Sequence, residues 1–128
     1  MSKFLTSQWM SDLTEALNAH EGFTQAIAST DLVLQFEVTD APDGTESVYH
    51  ITVGEGAASV TPGASESPDA TIANDYETAA AISKGEMQTQ MAFMTGKLKV
   101  SGNMAKLMMN QAMLGAFADA ASAMDVEY

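Results

Sequence analysis

The stretch QTQMAFMTGKLKVSGNMAKLMMNQAMLGAF, residues 88–117, gives the clearest indication of the fold. It carries six of the ten methionines, and a short β-type segment, Lys97–Val100, lies between two glycines. The apolar residues before and after that segment recur at helical spacing. The stretch therefore predicts a helix at Glu86–Thr95, a strand, and a long final helix for which Asn103 is the N-cap.

The predicted final helix has an unusually broad apolar arc. A surface helix usually has a narrower one, whereas here only Asn103, Lys106 and Asn110 form a polar stripe. Part of the arc can pack on a sheet, and the remainder needs a ligand, a second subunit or the first helix. Methionine is unbranched and polarizable, so it suits surfaces that adapt to varied apolar shapes. The candidate ligand-binding residues on this helix are Met104, Leu107, Met108, Met109 and Met113, and we expect about half of them to be ordinary core residues.

Upstream of this stretch, the hydrophobic pattern changes from helical to strand-like and back. The predicted helices are Ser7–His20, Phe23–Ala28 and Tyr76–Ser83. The predicted strands are Leu32–Thr39, Val48–Val53, Ala57–Thr61 and Ala70–Ala73. The alternation of apolar and polar residues is clearest in the first strand. Grouped strands with helices at both ends indicate an α+β fold, with a single five-stranded, mostly antiparallel sheet and helices packed on one face.

Length and composition limit the classes of protein that remain. The 128 residues fit one domain, with N-terminal helices in residues 1–30 and a tail, residues 119–128, that we expect to fray. The chain has no cysteine, which excludes disulfides and thiolate chemistry. No apolar run is long enough to span a bilayer, and the N-terminus lacks the apolar core of a signal peptide. We therefore expect a soluble, cytoplasmic protein.

The charge of the chain is strongly negative and unevenly distributed. Five lysines and 17 acids give a net charge of −12, with 13 acids and one lysine in Met1–Ser83 and four of each in Lys84–Tyr128. Binding to nucleic acid needs clustered basic side chains, so nucleic acid is not an expected partner. The acidic residues are expected to form a solubilising face, while the methionine-rich end is neutral.

The segment MAFMTGKLKVSGNMAKLMMNQ, Met91–Gln111, resembles the signature of the sterol carrier protein type 2 family. In that family an Ala-Phe pair precedes a Gly-Lys-Leu-Lys strand, a Gly-Asn turn and a methionine-rich last helix. Pro68–Gln90 looks like the element order that precedes this signature, and the resemblance covers about Leu32–Leu114; the segment that includes Trp9 looks like that of free-standing microbial members. The resemblance implies an apolar tunnel between sheet and helices that holds fatty acyl chains, acyl-CoA, sterols or phospholipids, without catalysis.

The resemblance also implies further site residues. Gln90 matches the family's glutamine before the Ala-Phe pair, where it either orients a ligand head group in the tunnel or is an exposed helix residue. Phe93 and Met94 are adjacent and cannot share one helix face, so we expect one in the core and the other at the cavity. The chain ends in Asp125–Tyr128, which does not match the peroxisomal signal of eukaryotic members.

Three of the lysines, Lys97, Lys99 and Lys106, lie close together in the sequence. They either contact a ligand head group at the tunnel mouth or protect an edge strand from aggregation, and we favour edge protection.

No motif for catalysis or metal binding accompanies these features. His20 and His50 are isolated, with no third ligand at metal spacing, and neither a Gly-x-Ser-x-Gly elbow nor a glycine-rich phosphate motif is present. The sequence thus predicts a carrier that binds lipid without a cofactor and contacts membranes or lipid enzymes transiently. The alternative is an interaction or dimerisation module that docks the face Met104–Phe117 onto a lipid-metabolising enzyme or a second copy; monomer and homodimer both remain open.

Overall fold

The computed structural model describes residues 2–28, 30–87, 89–124 and 126–127, without the side chains of residues 2, 89, 90, 111 and 114. The helices are α1 (Ser7–Ala19), α2 (Glu21–Ala26), α3 (Tyr76–Ser83), α4 (Thr89–Met94), α5 (Met104–Met109) and α6 (Gln111–Ser122). The strands are β1 (Ser2–Lys3), β2 (Leu32–Thr39), β3 (Val48–Gly54), β4 (Ala57–Pro62), β5 (Ala70–Asp75), β6 (Lys99–Gly102) and β7 (Val126–Glu127).

The main sheet has five strands in the order β4-β3-β2-β5-β6. The pairing of β2 with β5 is parallel and the other three pairings are antiparallel, so the sheet is mixed and the predicted α+β class is confirmed. Leu34 lies opposite Ile51 on one side and Ala70 on the other. All three side chains are buried, because alternate residues along each strand point to the face that the helices cover.

Helix α1 packs on that face and also covers one edge of the sheet. Its buried apolar residues are Trp9, Met10, Leu13 and Leu17. The Asn18 side chain both donates to the Ala58 carbonyl oxygen and accepts from the Ala58 N–H, each at 2.9 Å. The Thr14 hydroxyl accepts from the Val60 N–H at 3.0 Å. These bonds satisfy backbone groups of the edge strand β4 that would otherwise be open to strand addition.

The prediction of one long final helix is wrong, because the helix breaks at Asn110 into α5 and α6. The Asn110 side chain donates to the Lys106 carbonyl oxygen at 2.7 Å, and its own oxygen accepts from the Thr30 hydroxyl at 3.2 Å. An asparagine side chain that binds the preceding turn competes with helix continuation. The cap predicted at Asn103 is confirmed, since its side chain accepts from the Lys106 N–H at 3.0 Å.

The boundaries around β6 also differ from the prediction. The N–H groups of Lys97 and Leu98 both donate to the Ala92 carbonyl oxygen, at 2.9 and 3.1 Å. These two residues therefore complete the turn that ends α4, and the strand begins at Lys99. Only Lys99 of the three clustered lysines lies on this edge strand, where it is exposed.

Residues 119–128, which we expect to fray, include the end of α6 and strand β7 in the part that the structure describes. Helix α6 continues to Ser122, and Ala120 and Ala121 are buried. Strand β7 pairs in parallel with β1, and the Phe4 N–H donates to the Glu127 carbonyl oxygen at 2.9 Å. The two ends of the chain are thus joined by backbone hydrogen bonds.

Candidate functional site

An apolar cavity of about 60 Å³ lies between the sheet and the helices α1, α3 and α6. Its lining consists of Phe4, Trp9, Phe36, Tyr49, Ile72, Asn74, Ala79, Ile82, Ser83, Leu98, Phe117 and Ala121. This space is small beside the pockets of about 300 Å³ or more that hold whole drug-sized ligands. The tunnel implied by the resemblance stays a prediction.

Aromatic rings form the wall of the cavity and fix one another in place. The ring of Phe36 stacks on that of Tyr49, with centroids 4.9 Å apart, and on that of Phe117, at 5.9 Å. Trp9 meets Phe4 and Tyr49 edge to face, at 4.9 and 5.7 Å. Offset and edge-to-face arrangements are the favoured aromatic geometries, so this wall is rigid.

The cavity wall contains two aromatic side chains with polar atoms. Burial raises the pKa of the Tyr49 phenol well above its ordinary value, so the phenol is neutral at physiological pH. The Trp9 indole Nε1 is buried and has no hydrogen-bond partner among the residues that the structure describes.

A second, smaller apolar cluster adjoins the cavity. It consists of the buried residues Ile72, Ala92 and Leu98, against which Phe36, Ile82, Met87 and Val100 pack. Ile72 and Leu98 also line the cavity, while Ala92 belongs to α4. The short helix α4 therefore packs, through Ala92, against side chains that also line the cavity.

The exposed large apolar side chains lie on α4 and α5. In the described part of the chain they are Met91, Phe93, Met94, Met104, Met108 and Met109. Exposure reaches 74% for Met94 and 84% for Met109. Six large apolar side chains exposed on two short helices are candidates for a binding surface. We call these six residues the methionine patch.

The predicted site residues divide between this patch and the core. Leu107 and Met113 are buried in the main core, as expected for about half of the final-helix residues. The expectation that Phe93 or Met94 lies in the core is wrong: both are exposed, because Ala92 is the residue of α4 that faces the sheet. None of the seven predicted site residues with described side chains borders the cavity. The Gln90 side chain lies outside the described residues.

A wider cleft of about 910 Å³ opens at the start of α3 and has both polar and apolar residues in its wall. Acidic and basic side chains share its wall: Asp40, Asp75, Glu77, Lys84, Glu86 and Lys97. Hydrogen bonds from Thr78 lower the pKa of Asp75, which caps α3. These charges are mixed in sign, and Asp75 serves as the helix cap, so the cleft does not define one ligand chemistry.

The remaining candidate polar residues have structural roles. The His20 Nδ1 accepts from the Phe23 N–H at 3.0 Å and caps α2, and His50 Nδ1 lies 2.9 Å from the Gly63 carbonyl oxygen. Lys106 pairs with Asp69 at 3.2 Å. The described residues include no group of three or more histidine or acidic side chains placed to hold a metal ion. No helix in the described ranges is long and apolar enough to cross a membrane.

The sequence did not identify the aromatic cavity wall. The strand alternation predicts that Phe36 and Tyr49 lie on the buried face of the sheet, and the helical spacing predicts that Trp9 lies on the buried face of α1. Those signals predict burial, but they do not show that the three rings and Phe117 meet around a cavity. Their meeting depends on how α1 and α6 cross the sheet.

This arrangement, a mixed five-stranded sheet with helices on one face and an apolar cavity between them, defines a two-layer α+β protein. A model of the SCP-2 sterol transfer family matches residues 7–115, and the chain belongs to that family. A general role in binding and carrying lipids follows from this membership. It also agrees with the family resemblance seen in Met91–Gln111.

Relatives and solved structures agree with this assignment. Bovine and human sterol carrier protein 2 are each 38% identical to the chain over 72 residues, which is 56% of the chain and 13% of each relative. The matched segment is thus a small part of those longer proteins. A crystal structure of sterol carrier protein 2 matches with a TM-score of 0.81 and 21% identity, over 96% of the chain and 100% of that structure. A solution structure of a sterol carrier protein domain from Helicoverpa armigera matches with a TM-score of 0.65 and 28% identity, over 94% of the chain and 91% of that structure.

Proposed function

We propose that the chain binds the apolar part of a lipid between the sheet and the helices α3, α4 and α5, and carries it without catalysing a reaction. The observation that carries this proposal is the methionine patch beside a small apolar cavity. The cavity of about 60 Å³ is too small for a whole lipid, so a longer ligand needs α4 and α5 to move outward. In that arrangement, the exposed apolar side chains of α4 and α5 cover the ligand.

The second cluster supports α4 as the part that moves. Among the described side chains, its buried members are Ile72, Ala92 and Leu98, and Ala92 is the one that α4 contributes. A six-residue helix held by so little buried apolar surface is at the low end of local stability. Flexible methionines on such a helix can adapt to acyl chains or to a sterol ring system.

Burial of the ligand supplies the affinity. Each sequestered methylene contributes about 0.8 kcal/mol before the costs of association are subtracted. A chain of about ten methylenes therefore has enough favourable energy for useful binding. The predicted Gln90, together with Phe93, Met94, Met104, Met108 and Met109, is proposed to contact the ligand in this bound state, whereas Leu107 and Met113 support α5 and α6 from the core.

Native mass spectrometry of the protein purified from cells tests this function. We expect a bound species with the mass of a lipid, released by organic extraction and restored when lipid is added back. A protein that arrives empty and gains no mass with dodecan-1-ol, dodecanoate or cholesterol would contradict the proposal.

A matched pair of variants tests the role of the patch. Replacing Met94, Met108 and Met109 together with glutamine keeps side-chain length but adds a polar amide, and should weaken binding of dodecan-1-ol by about tenfold or more. The same three positions changed to leucine retain apolar surface and should bind within about threefold of the wild type. Equal affinities for the two variants would contradict a ligand contact at the patch.

A protein contact is the second candidate, because the same exposed methionines suit an apolar interface. The partner would be a second copy of the chain or a lipid-metabolising enzyme. Light scattering on the ligand-free and ligand-bound protein separates the two functions. A dimer that dissociates when the three methionines are changed to glutamine, with lipid binding unaffected, would favour the interface.

A further inference from the structure

Trp9 has an unused hydrogen-bond donor in the core. Its side chain is only 2% exposed, and its indole Nε1 has no partner among the described residues. An unsatisfied buried donor destabilises a folded protein. A group that accepts a hydrogen bond from this N–H would therefore stabilise the chain as well as be bound by it.

The surroundings of Trp9 limit the size of such a group. The rings of Phe4 and Tyr49 hold the indole by edge-to-face contacts, so its orientation is fixed. Trp9 borders the cavity of about 60 Å³, which is the open space beside it. That space takes a small end group and not a bulky head group, since pockets for whole drug-sized ligands measure about 300 Å³ or more.

The surroundings also limit the charge of the group. No basic side chain is among the described residues that line the cavity, and its polar members are Asn74, Ser83, Tyr49 and Trp9 itself. An ionised carboxylate or phosphate placed there would lose its hydration without a cation to replace it. The indole N–H only donates, so the fitting group is a neutral oxygen that accepts.

We propose that the Trp9 indole N–H donates a hydrogen bond to a hydroxyl or carbonyl oxygen at the end of a bound lipid, and so selects neutral lipids over ionised acids of equal chain length. This inference rests on the lipid binding proposed above. The apolar part of the ligand would run from the cavity past Leu98 and Ile72, which belong to both the cavity wall and the cluster beneath α4.

Nuclear magnetic resonance of the wild type tests the hydrogen bond. The chain has a single tryptophan, so its ¹H–¹⁵N spectrum contains one indole signal. Dodecan-1-ol delivered from methyl-β-cyclodextrin should shift the indole proton downfield, whereas dodecane delivered in the same way should not. At pH 8, dodecanoate should bind at least about tenfold more weakly than the alcohol.

The variant Trp9→Phe tests selectivity, because it keeps an aromatic ring and removes the donor. Its affinity for dodecan-1-ol should fall by about 3- to 10-fold, with the affinity for dodecane changed by less than about twofold. The inference would be overturned if the indole proton signal did not shift when the alcohol is bound, or if Trp9→Phe lost equal affinity for dodecan-1-ol and dodecane. It would also be overturned if dodecanoate bound as tightly as the alcohol.

These outcomes separate this inference from the proposed function. If neither dodecan-1-ol nor dodecane binds, lipid binding itself fails, and the Trp9 assignment fails with it. If both of these ligands bind and Trp9 makes no distinction between them, only the assignment of Trp9 fails. Should Trp9→Phe not fold, the wild-type indole signal and the comparison of alcohol with acid still decide the question.

Discussion

Asp75 shows how one residue connects local chemistry with the fold. It is the last residue of β5 and the N-cap of α3, and its Oδ1 accepts from the Thr78 N–H at 2.7 Å. The hydrogen bonds from Thr78, with a smaller contribution from the charge of Lys97, lower the pKa of the Asp75 carboxyl. The folded chain therefore favours the ionised form of this side chain.

A pH dependence follows from the direction of that shift. The folded-state pKa lies below the unfolded-state value of about 3.9, so the contribution of Asp75 is complete above the unfolded value. It is lost as the pH falls through that value towards the folded one. We expect Asp75→Asn to keep a capping side chain and to reduce the loss of stability between about pH 5 and pH 2.

Urea unfolding at neutral and acidic pH measures this effect. The control Asp75→Ala should lower the free energy of unfolding at pH 7 by about 1 kcal/mol, since it removes the cap altogether. If Asp75→Asn and the wild type lose the same free energy between pH 5 and pH 3, the account of Asp75 is wrong.

At the level of single residues, the sequence predicted apolar character better than position. It indicated that about half of the five final-helix candidates are surplus to core packing without identifying which, and Met104, Met108 and Met109 are the exposed ones. It did not predict that Phe93 and Met94 are both exposed, because the residue that anchors α4 is the small Ala92. It also did not predict an unpaired donor at Trp9, since hydrogen-bond partners depend on the assembled core.

Among the elements, the junction between β6 and α5 fixes how α5 lies against the sheet. Asp69 accepts from the Val33 N–H at 2.8 Å through Oδ2, and its carbonyl oxygen accepts from the Asn103 N–H at 2.8 Å. Its other carboxylate oxygen, Oδ1, pairs with Lys106 at 3.2 Å. Gly102 lies directly against this residue. The N-terminal end of α5 is therefore attached to the start of β5.

Gly102 cannot be replaced at this junction without strain. Its φ is +100°, and a Cβ there would lie 2.7 Å from the Asp69 carbonyl oxygen and 2.8 Å from the Ala70 Cα. We expect Gly102→Ala to lower the free energy of unfolding by about 2 to 4 kcal/mol, from the strained φ and the backbone clash together. Gly63 is a matched control, because its φ is +95° with nothing within 4 Å of a Cβ.

The difference between the two glycine variants isolates the clash. Gly63→Ala should lower the free energy of unfolding by about 1 kcal/mol, from the strained φ alone. Denaturant unfolding of both variants measures the two values. Equal losses would show that Asp69 and Gly102 do not hold the junction as described.

Elements with strong local signals were predictable from the sequence. The strand Leu32–Thr39 and the helix Tyr76–Ser83 have the predicted bounds, because alternation and a capping aspartate act within a few residues. The break at Asn110 was not predicted, since it depends on Thr30, which is far away in the sequence. The pairing of β1 with β7 was missed for the same reason.

In the molecule as a whole, excess negative charge and exposed apolar surface lie in different parts of the chain. The acids outnumber the lysines in residues 1–83, whereas the methionine patch follows residue 90. Repulsion between the acidic parts opposes association of copies, while the neutral patch stays free for a ligand. We therefore expect light scattering to give a monomer for the lipid-bound protein; a lipid-bound dimer would contradict this view.

Hydrogen exchange followed by mass spectrometry tests most directly whether lipid binds beneath α4 and α5. Exchange is compared between the lipid-free protein and the protein loaded with dodecan-1-ol, with loading verified by native mass. We predict slower exchange in peptides that cover Thr89–Met94 and Met104–Met109, and little change in β3 and β4. The proposed site would be contradicted if hydrogen exchange in α4 and α5 were unaltered in the lipid-loaded protein. It would also be contradicted if protection were confined to the cleft around Asp75.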